Sequence, residues 1–229
     1  MRRALTLLVC LSAGLATIGL TATGAFAADY PEPSPYPISW ELDFRHEKPK
    51  RIVVQIPGQG NRAYLYLKYS VTNNSNQDQT FLPVFEMVTR DGKILKSDQN
   101  IPQKVFDTIK KREANRFLEP HYKIGGTLRV GEDQARDGVA IWPVPMTEMG
   151  NFSIYVSGLS GETVTLKKGA DGQMVKVKPE RIAEELKGVK EEDVVILRKT
   201  LQLNYVVYGD ELYPGLDETN VLPQQWVMR

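Results

Sequence analysis

Ser160 stands in Gly158-Leu159-Ser160-Gly161-Glu162, one substitution away from the Gly-x-Ser-x-Gly turn on which hydrolases present a nucleophile, because Glu162 occupies the place of the last glycine. That motif also needs a helix after the turn, whereas Thr163-Val164-Thr165-Leu166 reads as a strand, so a plain turn is expected. A base would have to come from His46 or His121, the two histidines of the chain. His46 lies in the charged stretch Arg45-His46-Glu47-Lys48 and His121 follows Glu119-Pro120; both read as solvated loop residues, and neither has a partner at metal-ligand spacing. Asp210, Glu211, Asp217 and Glu218 gather carboxylates in the tail without the alternate-residue spacing of a calcium loop. Paired carboxylates for glycoside hydrolysis are defined by geometry and not by spacing. The expectation is therefore a chain with no catalytic residue, no metal and no cofactor, with a hydrolase as the enzyme-class alternative.

Aromatic side chains offer a different chemistry. Tyr64 and Tyr66 alternate with Leu65 and Leu67, so on a strand their rings share the face opposite the leucines and are the candidate partner-binding residues. Their competing role is packing beneath an inserted helix. Tyr36 and Tyr155 would join them in any planar row for stacking on sugars, whereas Trp142, between Ile141 and Pro143, reads as core. Asn73-Asn74-Ser75 and Asn151-Phe152-Ser153 match the glycosylation pattern and are expected to be turn or strand-edge residues.

The start of the chain carries an address. Arg2-Arg3, the apolar run 4–20 and the small-residue triplet Ala25-Phe26-Ala27 are the parts of a secretory signal, with cleavage expected between Ala27 and Ala28. An uncleaved anchor is the alternative, and would be the only tie to a membrane. Cleavage would remove two of 29 basic residues and none of 28 acidic ones, turning the formal charge of +1 into −1. The remaining charges are interspersed, which excludes a basic nucleic-acid-binding face. Cys10 is the single cysteine, so the exported chain has no disulfide and must rely on its core, which about 200 residues can supply. These features place the protein in the periplasm or cell envelope of a bacterium, or outside the cell.

The elements follow from periodicity. Residues 28–38, rich in alternate prolines, predict an extended spacer. Trp40, Leu42 and Phe44, then Ile52, Val54 and Ile56, alternate as strands, and 63–73 is the strongest strand, with Leu67 inside and Lys68 in solvent. Phe81 to Thr89 predicts one strand, turned by Asp91-Gly92 into Ile94-Leu95, so that an antiparallel meander is expected. The stretch 101–117 predicts a helix carrying Val105, Phe106 and Ile109 on one side. Further strands are expected at 139–142 and 152–159, a hairpin joins 163–166 to 174–178, a short helix spans 179–186, and a last long strand covers 194–208.

The run Tyr64 to Val71, Asn73-Asn74-Ser75, Phe81 to Val88, Asp91-Gly92 and Leu128-Arg129-Val130-Gly131-Glu132 resembles the immunoglobulin-like accessory domains of exported bacterial proteins, a family of unknown function. The resemblance implies an all-β antiparallel sandwich over 39–167, with a short inserted helix and with 168–229 as a strand and helix extension packing on it. It carries no catalytic residues. The function expected is a non-catalytic protein-interaction or structural module whose partner is an envelope or periplasmic protein. The alternative is a carbohydrate-binding module, with polysaccharide as the ligand of its tyrosines.

Overall fold

In the computed structural model, which describes residues 30–144, 150–208 and 218–229, alternating apolar and polar residues become two large β-sheets packed face to face as a sandwich, with a separate two-stranded ladder beside them. The expected all-β class is what forms. The smaller sheet is built around β3 (Gly60–Thr72), which pairs antiparallel with both β1 (Asp43–His46) and β2 (Lys50–Ile56). The chain then passes through β4 (Gln79–Phe81), β5 (Val84–Val88), β6 (Ile94–Lys96), helix α1 (Gln103–Glu113), β7 (Glu119–Pro120), the one-turn α2 (His121–Ile124) and β8 (Gly126–Leu128). It returns to the smaller sheet as β9 (Arg136–Pro143), antiparallel to β3 and flanked on its other edge by β7.

The larger sheet holds β10 (Gly150–Ser157), β11 (Thr163–Lys168), β12 (Met174–Lys176) and, after α3 (Ile182–Glu185), the long β13 (Val194–Tyr208). β13 pairs with β11 along its first half and with β10 along its second, and β14 (Glu218–Val221) and β15 (Gln225–Met228) also pair with it. β5 and β6 continue the sheet beyond β10. The main core lies between the sheets, where Leu65, Leu67 and Trp142 meet Phe85, Ile154, Leu203 and Tyr205. Trp142 is fully buried and donates its indole N–H to the Leu95 carbonyl at 3.1 Å, so a large aromatic is held in apolar surroundings without an orphan donor.

A second core differs from the single-faced strand expected at 63–73. Tyr64, Tyr66, Val139 and Ile141 line the other face of the smaller sheet, and α1 lays Val105, Phe106 and Ile109 across them. The helix expected within 101–117 is present, and it covers the upper part of that face. Lys68 and Ser70 lie on the same face beyond it.

The strand expected over Phe81 to Thr89 is two strands in different sheets: β4 pairs with β8, and β5 with β10. Pro83 has no N–H to give a ladder, and the backbone of Gly158 passes against the Leu82 carbonyl so closely that a Cβ there would clash. The meander survives only as the hairpins β2–β3 and β5–β6. The hairpin of 163–178, the short helical turn from Pro179 and the strand 194–208 form where expected. The stretch 168–229, expected to pack on the sandwich, supplies β13 to the larger sheet, and through it Leu201, Leu203 and Tyr205 to the main core.

The proline-rich segment is also tied down. Ser34 donates its N–H to Glu162 Oε1 at 2.7 Å, and its carbonyl accepts from Lys199 Nζ at 3.1 Å. Among the described residues no helix is long and apolar enough to cross a membrane.

Candidate functional site

α1 follows Pro102, which stands at its N-cap with extended φ −60° and ψ 138°, and it ends at Ala114 in the left-handed conformation. Lys110, Lys111 and Arg112 in its last turn suit the negative end of the helix dipole, but Glu113 does not. It is held there by three donors: the Tyr66 hydroxyl at 2.6 Å, Lys50 at 3.1 Å and Lys68 at 3.1 Å. Glu47 completes the cluster, 2.9 Å from Lys50 and 2.5 Å from Lys68. Burial pushes the Glu113 carboxyl up, but hydrogen bonds from Tyr66, Lys50 and Lys68 outweigh it and bring it down to about 2. The Tyr66 hydroxyl is driven the other way, by burial first and then by the adjacent Glu113.

Below this cluster the sheet face is open. A groove of about 300 Å³ is lined by Arg45, Glu47, Lys68, Ser70, Asn115 and Asp137. Asn115 donates to Asp137 at 2.7 Å. On the other side of Asp137 lies a wider depression of about 670 Å³, with Phe117, Glu119, Lys123, Asp133 and Arg136 on its walls. Arg136 belongs to the frame, because its guanidinium donates to the carbonyls of Ile124 and Thr127 at 2.5 and 2.6 Å. Phe117 is 65% exposed, with the Arg116 guanidinium 4.5 Å from its ring centre. The two depressions share Asp137 as a wall and together extend from β1 across β9 to α2. Charges of both signs surround one accessible aromatic ring.

Neither histidine is the solvated loop residue expected. His46 Nδ1 is 3.1 Å from the Glu47 carbonyl and 3.2 Å from the Tyr205 hydroxyl, and its Nε2 is 3.3 Å from Gln224 Oε1. His121, at the start of α2, has its Nδ1 2.5 Å from Asp98 Oδ2, and the Asp98 side chain is only 5% exposed. Asp98 itself is left-handed at φ 58°, with its N–H bound to the Ile141 carbonyl at 2.7 Å. Such a pair resembles the base and orienting acid of a hydrolase, but Ser97 Oγ approaches the same Nδ1, at 3.5 Å, and a nucleophile belongs on the other nitrogen.

Ser160 is buried, and its Oγ accepts the N–H of Glu162, as a turn requires. Glu162 and Lys199 are each only 3% exposed at the side chain. Lys199 Nζ lies 2.6 Å from Glu41 and 3.2 Å from Glu162 Oε2, the latter an ion pair without hydrogen-bond alignment, and 5.2 Å from the Trp226 ring. Burial lowers the affinity of Lys199 for its proton, and the two glutamates more than restore it.

The candidate contact residues Tyr64 and Tyr66 lie under α1, 4% and 0% exposed, so they pack the second core and form no outward row. Tyr155 is covered by Arg229, whose guanidinium sits 4.2 Å from its ring, and Tyr36 alone of the four is exposed. Asn73 is buried, with its amide donating to the carbonyls of Gln77 and Leu128 and accepting from Ser75, so it is the turn residue expected. The cleavage site Ala27–Ala28 and the acids Asp210, Glu211 and Asp217 lie outside the described residues. Among the described residues no three acids, histidines or cysteines come together as a metal site.

Two of the residues that matter had legible signals. Lys199 interrupts the apolar alternation Leu197, Leu201, Leu203, which places an ammonium on a core face, and Glu113 ends a helix whose preceding residues are basic. Asp98 had none, since its partner lies 23 residues away and neither is part of a spacing pattern. No family model matches this chain, and no curated protein or solved structure was found to match it.

Proposed function

We propose that the chain is an exported, non-catalytic β-sandwich module of the bacterial envelope or periplasm that holds another protein of that compartment through the groove running from Arg45 to Phe117. The observation that carries this reading is the joining of two depressions at Asp137, with an exposed aromatic ring and arginines set among carboxylates. Aromatic and arginine side chains are the residues enriched at protein interfaces, and a mixed-charge rim gives register and selectivity. The secretory signal in residues 1–27 supports the compartment. A hydrolase is disfavoured by the crowding of Ser97 and Asp98 on one nitrogen of His121.

The test is a photo-crosslinking residue placed at Phe117 in the full-length protein within its native envelope, compared with one at Lys187, which is exposed in another part of the chain. A discrete protein adduct from position 117 alone, lost on Lys123→Glu with the melting temperature unchanged, is the expected result. Adducts with polysaccharide and no protein would replace this reading with the carbohydrate one. Equal adducts from both positions would remove the groove from it.

A further inference from the structure

Across the sandwich from α1, the outer face of the larger sheet carries a second, smaller pocket of about 190 Å³, with Arg198, Arg229, Thr200, Ser157, Tyr155 and Glu86 on its walls. The backbone explains why two arginines meet there. Arg198 and Arg229 exchange both main-chain hydrogen bonds, at 2.8 and 3.0 Å, and so stand directly opposite each other, Arg198 on β13 and Arg229 just past the end of β15. Like charges at such a pair are destabilising unless something between them is negative. Glu86 answers only one, with its Oε2 3.0 Å from Arg229 Nη2. Arg229 Nη1 is buried without a hydrogen-bond partner, and Arg198 has no carboxylate within ion-pair distance among the described residues. Two guanidinium groups facing one carboxylate, donors in excess of acceptors, and the Ser157 hydroxyl are thus gathered in one concavity, while the Thr200 hydroxyl is already given to the Arg198 carbonyl at 3.0 Å.

We propose that this pocket binds an oxyanionic group, a carboxylate or a phosphate, with Arg198 as its principal contact. A planar guanidinium offers two parallel N–H donors to either group, and an anion seated between Arg198 and Arg229 relieves their repulsion. The proposal is independent of the groove at Phe117, which lies on the other sheet.

The test titrates the full chain, at constant ionic strength, with inorganic phosphate in one arm and glucuronate in the other, following the arginine side-chain N–H resonances. Saturable binding of at least one probe, weakened at least tenfold by Arg198→Gln and untouched by Lys187→Gln, is expected, and the tighter probe identifies the source of the anion. Arg198→Lys retains charge without the fork and should fall between. Because Arg198 is exposed, these variants fold as the parent does, which the melting temperature checks. The absence of saturable binding in both arms, or an equal loss in Lys187→Gln, would overturn the site.

Discussion

The Tyr66 hydroxyl donates to Glu113 Oε1 at 2.6 Å, and this bond ties a fully buried ring of β3 to the last residue of the helix that covers it. Tyr66 therefore belongs to both the second core and the charge cluster, and the ionised Glu113 adds to the apolar contacts that hold α1 over the sheet.

Acid should loosen that junction in a definite window. The Glu113 carboxyl falls from 4.5 to about 2 on folding, so the stability it contributes is complete above about pH 4.5 and is lost as pH drops toward 2. Glu47, also lowered, acts in the same sense. Glu113→Gln should cost about 1–3 kcal/mol at neutral pH and flatten the decline between pH 4.5 and 2. Melting temperatures of the two proteins across that range are the measurement, and parallel curves would contradict the assignment.

Leu67→Asp should cost about 4 kcal/mol or more, because it buries an unpaired carboxylate in the main core, where Leu67 is 0% exposed. The alternation alone would leave Lys68→Asp nearly silent. In the fold Lys68 answers Glu47 and Glu113, so that change should cost about 1–3 kcal/mol and Lys68→Gln less. Denaturant titration of the three variants ranks them.

Lys199→Met should cost about 3–5 kcal/mol, since Glu162 and Glu41 lose their buried cation together. Adding Glu41→Gln and Glu162→Gln should recover part of the loss. The single variant should also be cut faster by protease within residues 31–38, because Ser34 loses the donor to its carbonyl. Unchanged cleavage there would mean that the segment is fixed by other contacts.

Asp98 and His121 should behave as a structural pair. His121→Gln should cost about 1–3 kcal/mol by leaving the buried Asp98 short of a partner, and Asp98→Asn with His121→Gln should cost less than the sum of the single changes. A thermal double-mutant cycle reads the coupling. A specific loss of turnover in folded His121→Gln would instead favour the hydrolase.

Periodicity made most of the strands legible, because Leu65, Leu67, Tyr69 and Val71 or Leu201, Leu203 and Tyr205 can hide together only on a pleated surface. It did not assign strands to sheets: Phe81 and Phe85 look like one run, yet the break at Leu82-Pro83 sends them into different pairings. The groove was less legible still. Asn115 and Asp137 lie 22 residues apart, and they meet only because β9 returns beside β3 beneath the end of α1. Tyr64 and Tyr66 were correctly placed opposite the leucines, but whether a strand's second face meets water or a helix depends on where an insertion lands.

The attachment of Ser34 gives the molecule a mechanical order. A pulling force transmitted along the proline-rich segment reaches the two backbone bonds of Ser34, one to Glu162 and one to Lys199, before it reaches β1. Lys199 is in turn braced by Glu41, ahead of β1, and stands over Trp226 of β15. Tension along the proline-rich segment is thereby shared at one ammonium among three distant parts of the chain, and the hydrogen-bonded sheets behind it are shielded until that junction gives way.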